Sequence, residues 1–155
     1  LLWKERFENS WPQIHLSILA TDIDDKMIGR AKEGRYKKSS LKEVPEETLR
    51  RFFKIENGFY VLDRPIRSSV EFRRHDIIHD ESFLGMDLVF CRNLVFTYFS
   101  KECQISVLRK IFSSLKEDGY LAVGWDESLP LTYPTFFTLI CPGEKIFQKF
   151  SGARS

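Results

Sequence analysis

The sequence is poor in cysteine. It has three in 155 residues, Cys91, Cys103 and Cys141, an odd number at wide spacing. Such a set makes no disulfide framework and contains no Cys-x-x-Cys pair. Clustered ligands for zinc are missing as well. His75 and His79 lie four apart, but no cysteine or carboxylate pair completes a ligand set around them, so they read as surface histidines and no metal is expected. No apolar run approaches the roughly 20 residues needed to span a bilayer, so membrane insertion is not expected. The opening Leu1-Leu2-Trp3-Lys4-Glu5-Arg6 brings charges too early for a signal-peptide core, and a cytoplasmic location is the expectation. Glycine is scarce: residues 29, 34, 58, 85, 119, 124, 143 and 152 build no Gly-rich loop of the kind that cradles phosphates or cofactors. Internal repeats and low-complexity segments are absent.

The remaining composition is that of an ordinary globular domain. Hydrophobic residues make up 43% and charged residues 30%, with a formal net charge of +2. Those values exclude disorder, collagen-like repeats and a wholesale polyelectrolyte role. The small net charge hides an asymmetry. Residues 35–74 hold 11 Lys or Arg and 6 Asp or Glu, a local +5, which leaves −3 for the rest. The middle of the chain therefore suits an acidic partner, although a solvated charged face is the plainer reading. By length the chain is one domain. It starts at Leu1, inside what reads as a helix, and the expectation is a piece of something longer.

Apolar periodicity sets out the elements. Residues 1–8 read as the end of a helix broken near Pro12, and residues 14–20 as a buried strand. Asp24 or Asp25 caps a short helix in which Met27, Ile28 and Ala31 share a face, and Gly34 ends it. A second helix is expected over 41–53, with Pro45 near its first turn. After the turn signal Asn57-Gly58, residues 59–62 and 69–72 read as two short strands joined through Pro65, a small β-rich insertion over about 55–75. Residues 87–91 form another buried strand. Ser100 caps a helix with Ile105, Leu108, Ile111, Phe112 and Leu115 on one face. Glu117-Asp118-Gly119 turns the chain into a strand over 120–124, and residues 136–141 and 145–150 flank Pro142-Gly143 as an antiparallel hairpin.

Alternating strands and helices, closed by a hairpin, define an α/β class with a mostly parallel sheet. Ligands in such sheets lie beyond the carboxyl ends of the strands. Asp22 follows one strand, where an acidic residue accepts hydrogen bonds from ribose hydroxyls; the alternative is a helix cap, a duty Asp24 or Asp25 already covers. Arg92-Asn93 follows another and offers several donors to a ligand. The alternative for Arg92 is a structural ion pair with Asp22 or Asp87.

At this point the sequence resembles the CheR-type S-adenosylmethionine-dependent protein-glutamate methyltransferases of bacterial chemotaxis. The matching segments, in order, are Ala20-Thr21-Asp22-Ile23-Asp24, Ala31-Lys32-Glu33-Gly34-Arg35-Tyr36, Arg51-Phe52-Phe53, Ile66-Arg67-Ser68-Ser69-Val70-Glu71-Phe72, Phe90-Cys91-Arg92-Asn93, Tyr98-Phe99, Leu115-Lys116-Glu117-Asp118-Gly119-Tyr120 and Gly124-Trp125-Asp126-Glu127-Ser128-Leu129. They are individually weak but jointly specific, and they cover nearly the whole chain. The resemblance implies a Rossmann-like fold, S-adenosyl-L-methionine as cofactor, and methyl transfer to a glutamate of a chemoreceptor-like protein with an acidic surface. It implies Asp22 as ligand of the cofactor ribose, Asp76 and Ile77 beside the adenine, Arg92 and Asn93 as a strand-end pair touching the cofactor, and Tyr98 near the transferred methyl group. The β-rich insertion resembles the subdomain that docks receptors.

Four departures qualify the match. Asp76 stands where the family has Asn, so an amide becomes an acceptor only. The stretch from Arg92 to Tyr98 is one residue longer than the common spacing. Trp125-Asp126 stands where His-Ser is frequent. The first strand with its Gly-rich turn, and an amino-terminal helical domain, have no counterpart in these residues. The sequence is therefore expected to be a partial catalytic domain spanning 1–155, with two blocks of strands that share no neighbour and leave unpaired apolar edges. Two other readings stay open. One is a non-catalytic remnant binding a protein through the basic middle; the other is a methyltransferase for RNA or a small molecule. Nucleic acid is not expected, because the basic stretch lacks interleaved aromatics at a defined motif.

Overall fold

A computed structural model describes residues 1–130 and 136–150. The chain divides into two compact units, residues 1–76 and 77–155. Among the described residues the strands fall into three sheets.

The first unit begins with a short helical turn, Trp3–Phe7. Strand β1 follows at Ile18–Asp22, shifted toward the carboxyl end of the expected 14–20; Ile14 and Leu16 remain exposed ahead of it. Helix α1, Asp25–Glu33, starts on Asp24, whose carboxylate accepts the amide of Lys26 at 2.8 Å. It ends on Gly34, at φ 60°, where a Cβ would run into the Arg67 side chain. Both boundaries follow from local chemistry: an Asp cap satisfies an otherwise orphaned N–H, and glycine enters the left-handed region without steric cost. Of the expected helix over 41–53, only α2, Glu46–Phe52, is α-helical, preceded by a tight turn at Lys38–Leu41. A helix starting at Leu41 would need the N–H that Pro45 lacks; Pro45 instead stands at the start of α2, where that N–H is not needed.

Beyond α2 the chain becomes extended. Strand β3, Phe53–Glu56, and the earlier β2, Arg35–Tyr36, both pair antiparallel with β4, Phe59–Leu62. The β3–β4 hairpin turns through Asn57 and Gly58, both at positive φ. A four-residue helix α3, Arg64–Arg67, leads into β5, Val70–Arg74. Both expected strands, 59–62 and 69–72, are present, but they belong to different sheets. Strand β5 instead runs parallel to β1, pairing Ile18 with Val70 through Asp22 with Arg74. Parallel partners are joined by long crossovers, so local pattern does not reveal them.

The second unit holds the larger core. Strand β6, Met86–Cys91, runs parallel to β7, Leu115–Val123; β9, Ile146–Lys149, is antiparallel to both β7 and β8, Phe137–Cys141, giving the order β6-β7-β9-β8. Helix α4, Val95–Tyr98, is a single turn. Helix α5, Lys101–Ser114, is capped by Ser100, whose hydroxyl accepts the Cys103 amide at 3.4 Å. It buries Val107, Leu108 and Ile111 against Cys91, Val95, Phe96, Leu121, Val123 and Phe137. Leu108 and Leu121 have no exposed surface, and burial of each contributes about 1.5–3 kcal/mol. The expected turn at 117–119 is a bulge inside β7. Met86 faces Leu115 and Leu88 faces Tyr120, so extra residues bow out of β7, with Asp118 at φ 60°. Strand β6 is a sheet edge, and Leu88 and Phe90 on it are exposed, as expected of an unpaired apolar edge.

Candidate functional site

The carboxyl ends of the parallel strands carry the polar residues singled out above. In the first unit, Asp22 ends β1. One carboxylate oxygen accepts the Asp24 amide at 2.8 Å, and its carbonyl accepts the His75 amide at 2.9 Å. Asp24 takes the helix cap, so the second Asp22 oxygen has no partner among the described residues. Asp22 is exposed. Asp76 lies two residues beyond β5 and is half-buried. Because β1 and β5 are parallel and in register, Asp22 and Asp76 leave the same end of the pair.

In the second unit, Ile77 packs against the core. Arg92 and Asn93 follow β6 and are both exposed; Asn93 adopts φ 54°, a left-handed backbone that asparagine tolerates better than most residues. Asp87 pairs with Lys116 at 2.7 Å rather than with Arg92. Tyr98 closes α4 and is 75% exposed.

Sequence reasoning missed what holds this segment together. Glu127 is 2% exposed, the one buried acidic residue among those described. Its Oε2 accepts the amides of Asn93 at 2.8 Å and Gly124 at 2.6 Å; its Oε1 accepts the Thr97 hydroxyl at 2.7 Å. Burial pushes its carboxyl up, but hydrogen bonds from Thr97, Asn93, Gly124 and Leu94 outweigh that and hold it below the ordinary carboxylate value. Gly124 is required by the same arrangement: a Cβ there would collide with Asn93 Oδ1 and Glu127 Oε2. The available signal was an acid three residues after the glycine that follows one strand, with Arg-Asn following another. Nearby, Cys91 is buried and its thiol is pushed up to about 11 by desolvation, partly offset by a hydrogen bond with the Val95 backbone and reinforced by the Glu127 charge.

The basic middle of the chain shapes a separate feature of the first unit. A cleft of about 310 Å³ is lined by Lys32, Arg64, Arg67, Ser68, Val70 and Phe72. Arg67 donates to the Glu33 carbonyl at 2.9 Å, and its buried Nε has no hydrogen-bond partner among the described residues. Among the described residues no three His, Cys, Asp or Glu side chains gather as a metal site, and no helix is long and apolar enough to cross a membrane.

The fold is that of the Rossmann-like S-adenosylmethionine-dependent methyltransferases. The N-methyltransferase NodS of Bradyrhizobium japonicum, solved with S-adenosyl-L-homocysteine, superposes with a TM-score of 0.52 at 13% identity, covering 86% of this chain and 66% of that one. The family follows from sequence. Residues 1–143 match the model of the CheR methyltransferase, SAM binding domain, and the chain belongs to that family. It is 38% identical over 117 residues to chemotaxis protein methyltransferase 1 of Pseudomonas aeruginosa, covering 74% of this chain and 42% of the relative. It is 34% identical over 115 residues to the chemotaxis protein methyltransferase of Listeria innocua, covering 74% and 44%. An uncharacterised 104.1 kDa protein of Rhodobacter capsulatus shares 34% over 141 residues, 90% of this chain and 14% of that protein. The chain thus spans less than half the length of these relatives.

Proposed function

We propose that the protein carrying this chain transfers a methyl group from S-adenosyl-L-methionine to a glutamate side chain of a chemoreceptor-like protein, acting in the cytoplasm. The observation that carries this reading is the Asp22 carboxylate at the end of β1, with one oxygen tied into the turn and the other without a partner among the described residues. The donor and acceptor chemistry fits the nucleoside half of the cofactor. A ribose presents two hydroxyl donors and Asp22 presents a free acceptor; an adenine amino group donates and Asp76 accepts, while Ile77 supplies apolar surface. When bound, the cofactor supplies an electrophilic methyl group on a sulfonium.

The residues of this chain then have simple duties. A glutamate side chain, with a reference pKa of about 4.3, is already ionised at neutral pH and needs no general base. Asp22 holds the ribose, Arg92 and Asn93 contact the cofactor at the end of β6, and Tyr98 orients the reacting carboxylate or methyl group for in-line displacement. The residues serve as part of one catalytic domain, and the β-rich stretch serves receptor docking. The basic cleft around Lys32, Arg64 and Arg67 supports a substrate with an acidic surface.

The test uses the full-length protein, labelled cofactor and a receptor cytoplasmic fragment. Label should enter the receptor as a base-labile ester. Asp22→Ala should raise the cofactor KM about tenfold or more, as expected for loss of a charge-assisted hydrogen bond. Label that survives base, or an unchanged KM, rejects the reading.

A further inference from the structure

The buried carboxylate of Glu127 is not a group the proposed transfer uses directly. It accepts from donors on both sides of the strand-end segment: backbone amides of Asn93 and Gly124 at one oxygen, the Thr97 hydroxyl at the other. A buried charge is costly unless its lone pairs are satisfied, and here at least three donors meet it. Its contacts bracket the segment: Asn93 opens it, in a left-handed backbone, and Thr97 immediately precedes Tyr98.

We propose that Glu127 is the positioning residue for this segment, with its two oxygens dividing the work. Oε2 fixes the backbone of Asn93 against the end of β7, and so sets the cofactor side. Oε1 fixes Thr97, and so sets the direction in which α4 presents Tyr98. This rests on the roles proposed above for Asn93 and Tyr98, but the clamp itself is read from geometry within one unit. The division makes the two halves separable. Losing the Oε2 contacts weakens cofactor binding, whereas losing the Oε1 contact slows transfer and leaves binding nearly intact.

Two substitutions in the full-length protein test this. Glu127→Gln keeps the shape but removes the charge: its one oxygen can keep the two backbone amides and its amide nitrogen can meet a Thr97 hydroxyl turned to accept, so what is lost is the charge-assisted strength of the contacts. Thr97→Val removes only the hydroxyl. Amide hydrogen exchange over residues 92–98 should quicken about tenfold in Glu127→Gln, consistent with loss of a charge-assisted contact, while α5 stays protected. The cofactor KM of Glu127→Gln should rise about fivefold or more. For Thr97→Val, kcat should fall about fivefold with the cofactor KM within about twofold. Unchanged exchange over 92–98 overturns the proposal. So does quicker exchange in an active enzyme whose KM and kcat stay at wild-type values. If the wild type transfers no methyl group, the catalytic reading fails separately, and calorimetry with S-adenosylhomocysteine decides: weaker binding by Glu127→Gln sustains the clamp, and equal or absent binding overturns it.

Discussion

Glu127 Oε2 accepts the backbone amide of Asn93 at 2.8 Å across 34 residues of sequence, joining the loops that follow β6 and β7. The bond has a pH signature. The folded carboxyl lies below its ordinary value, so the unfolded chain binds its proton first as pH falls. The stabilisation is complete above the unfolded value of about 4.3 and is lost as pH falls through the folded one. Urea denaturation at pH 7 should therefore show a larger gap between wild type and Glu127→Gln than denaturation below about pH 4. A gap independent of pH would mean that this carboxylate is not held ionised by its donors.

Gly124 tests the same junction sterically. A methyl group there meets Asn93 Oδ1 and Glu127 Oε2, so Gly124→Ala should cost about 1–3 kcal/mol. Gly143, in the hairpin turn, has nothing among the described residues within 4 Å of an added Cβ. Gly143→Ala should stay within about 0.5 kcal/mol of wild type. Equal effects of the two in chemical denaturation would contradict the close approach at Gly124.

The thiols should separate by burial. Cys91 is 5% exposed with its thiol pushed up to about 11, whereas Cys103 and Cys141 are half-buried. At pH 8 only about one thousandth of Cys91 is thiolate, so it should resist alkylation until the protein is denatured. Mass spectrometry of native and denatured samples reads this directly. Native labelling of Cys91 at the rate of Cys103 would refute its placement.

Much of this was legible in the sequence, for reasons particular residues make clear. Asp24, Gly34 and Ser100 set helix ends through contacts within four residues, and Pro142-Gly143 with its flanking alternation announced the β8–β9 hairpin. What was not legible depended on partners far along the chain. The pattern over 69–72 says strand, but its pairing with β1 is fixed by burial on a sheet more than 40 residues away. Phe53, the last residue of the expected helix, instead opens the alternating Phe53-Lys54-Ile55-Glu56, which forms a strand paired with β4. Among the candidate site residues, Asp22 was visible because it ends a strand, and Arg92-Asn93 because the pair follows one. Glu127 was quoted within a motif, yet its role was hidden because its donors, Asn93 and Thr97, lie at least 30 residues earlier.

Lys149 gives a last prediction, on what fastens the bulge of β7. Its side chain is 8% exposed, its Nζ donates to the Leu115 carbonyl at 2.9 Å and lies 4.4 Å from the centre of the Phe112 ring, and Glu117 is 3.3 Å away. Lys149→Met keeps the aliphatic stem but strands the Leu115 carbonyl, and should cost about 1–3 kcal/mol. Glu117 is 65% exposed, so Glu117→Gln should cost less than about 1 kcal/mol. The order matters more than the size. If the Glu117 substitution is the more harmful in urea denaturation, the ion pair holds the bulge; if the Lys149 substitution is, the carbonyl and the aromatic face do.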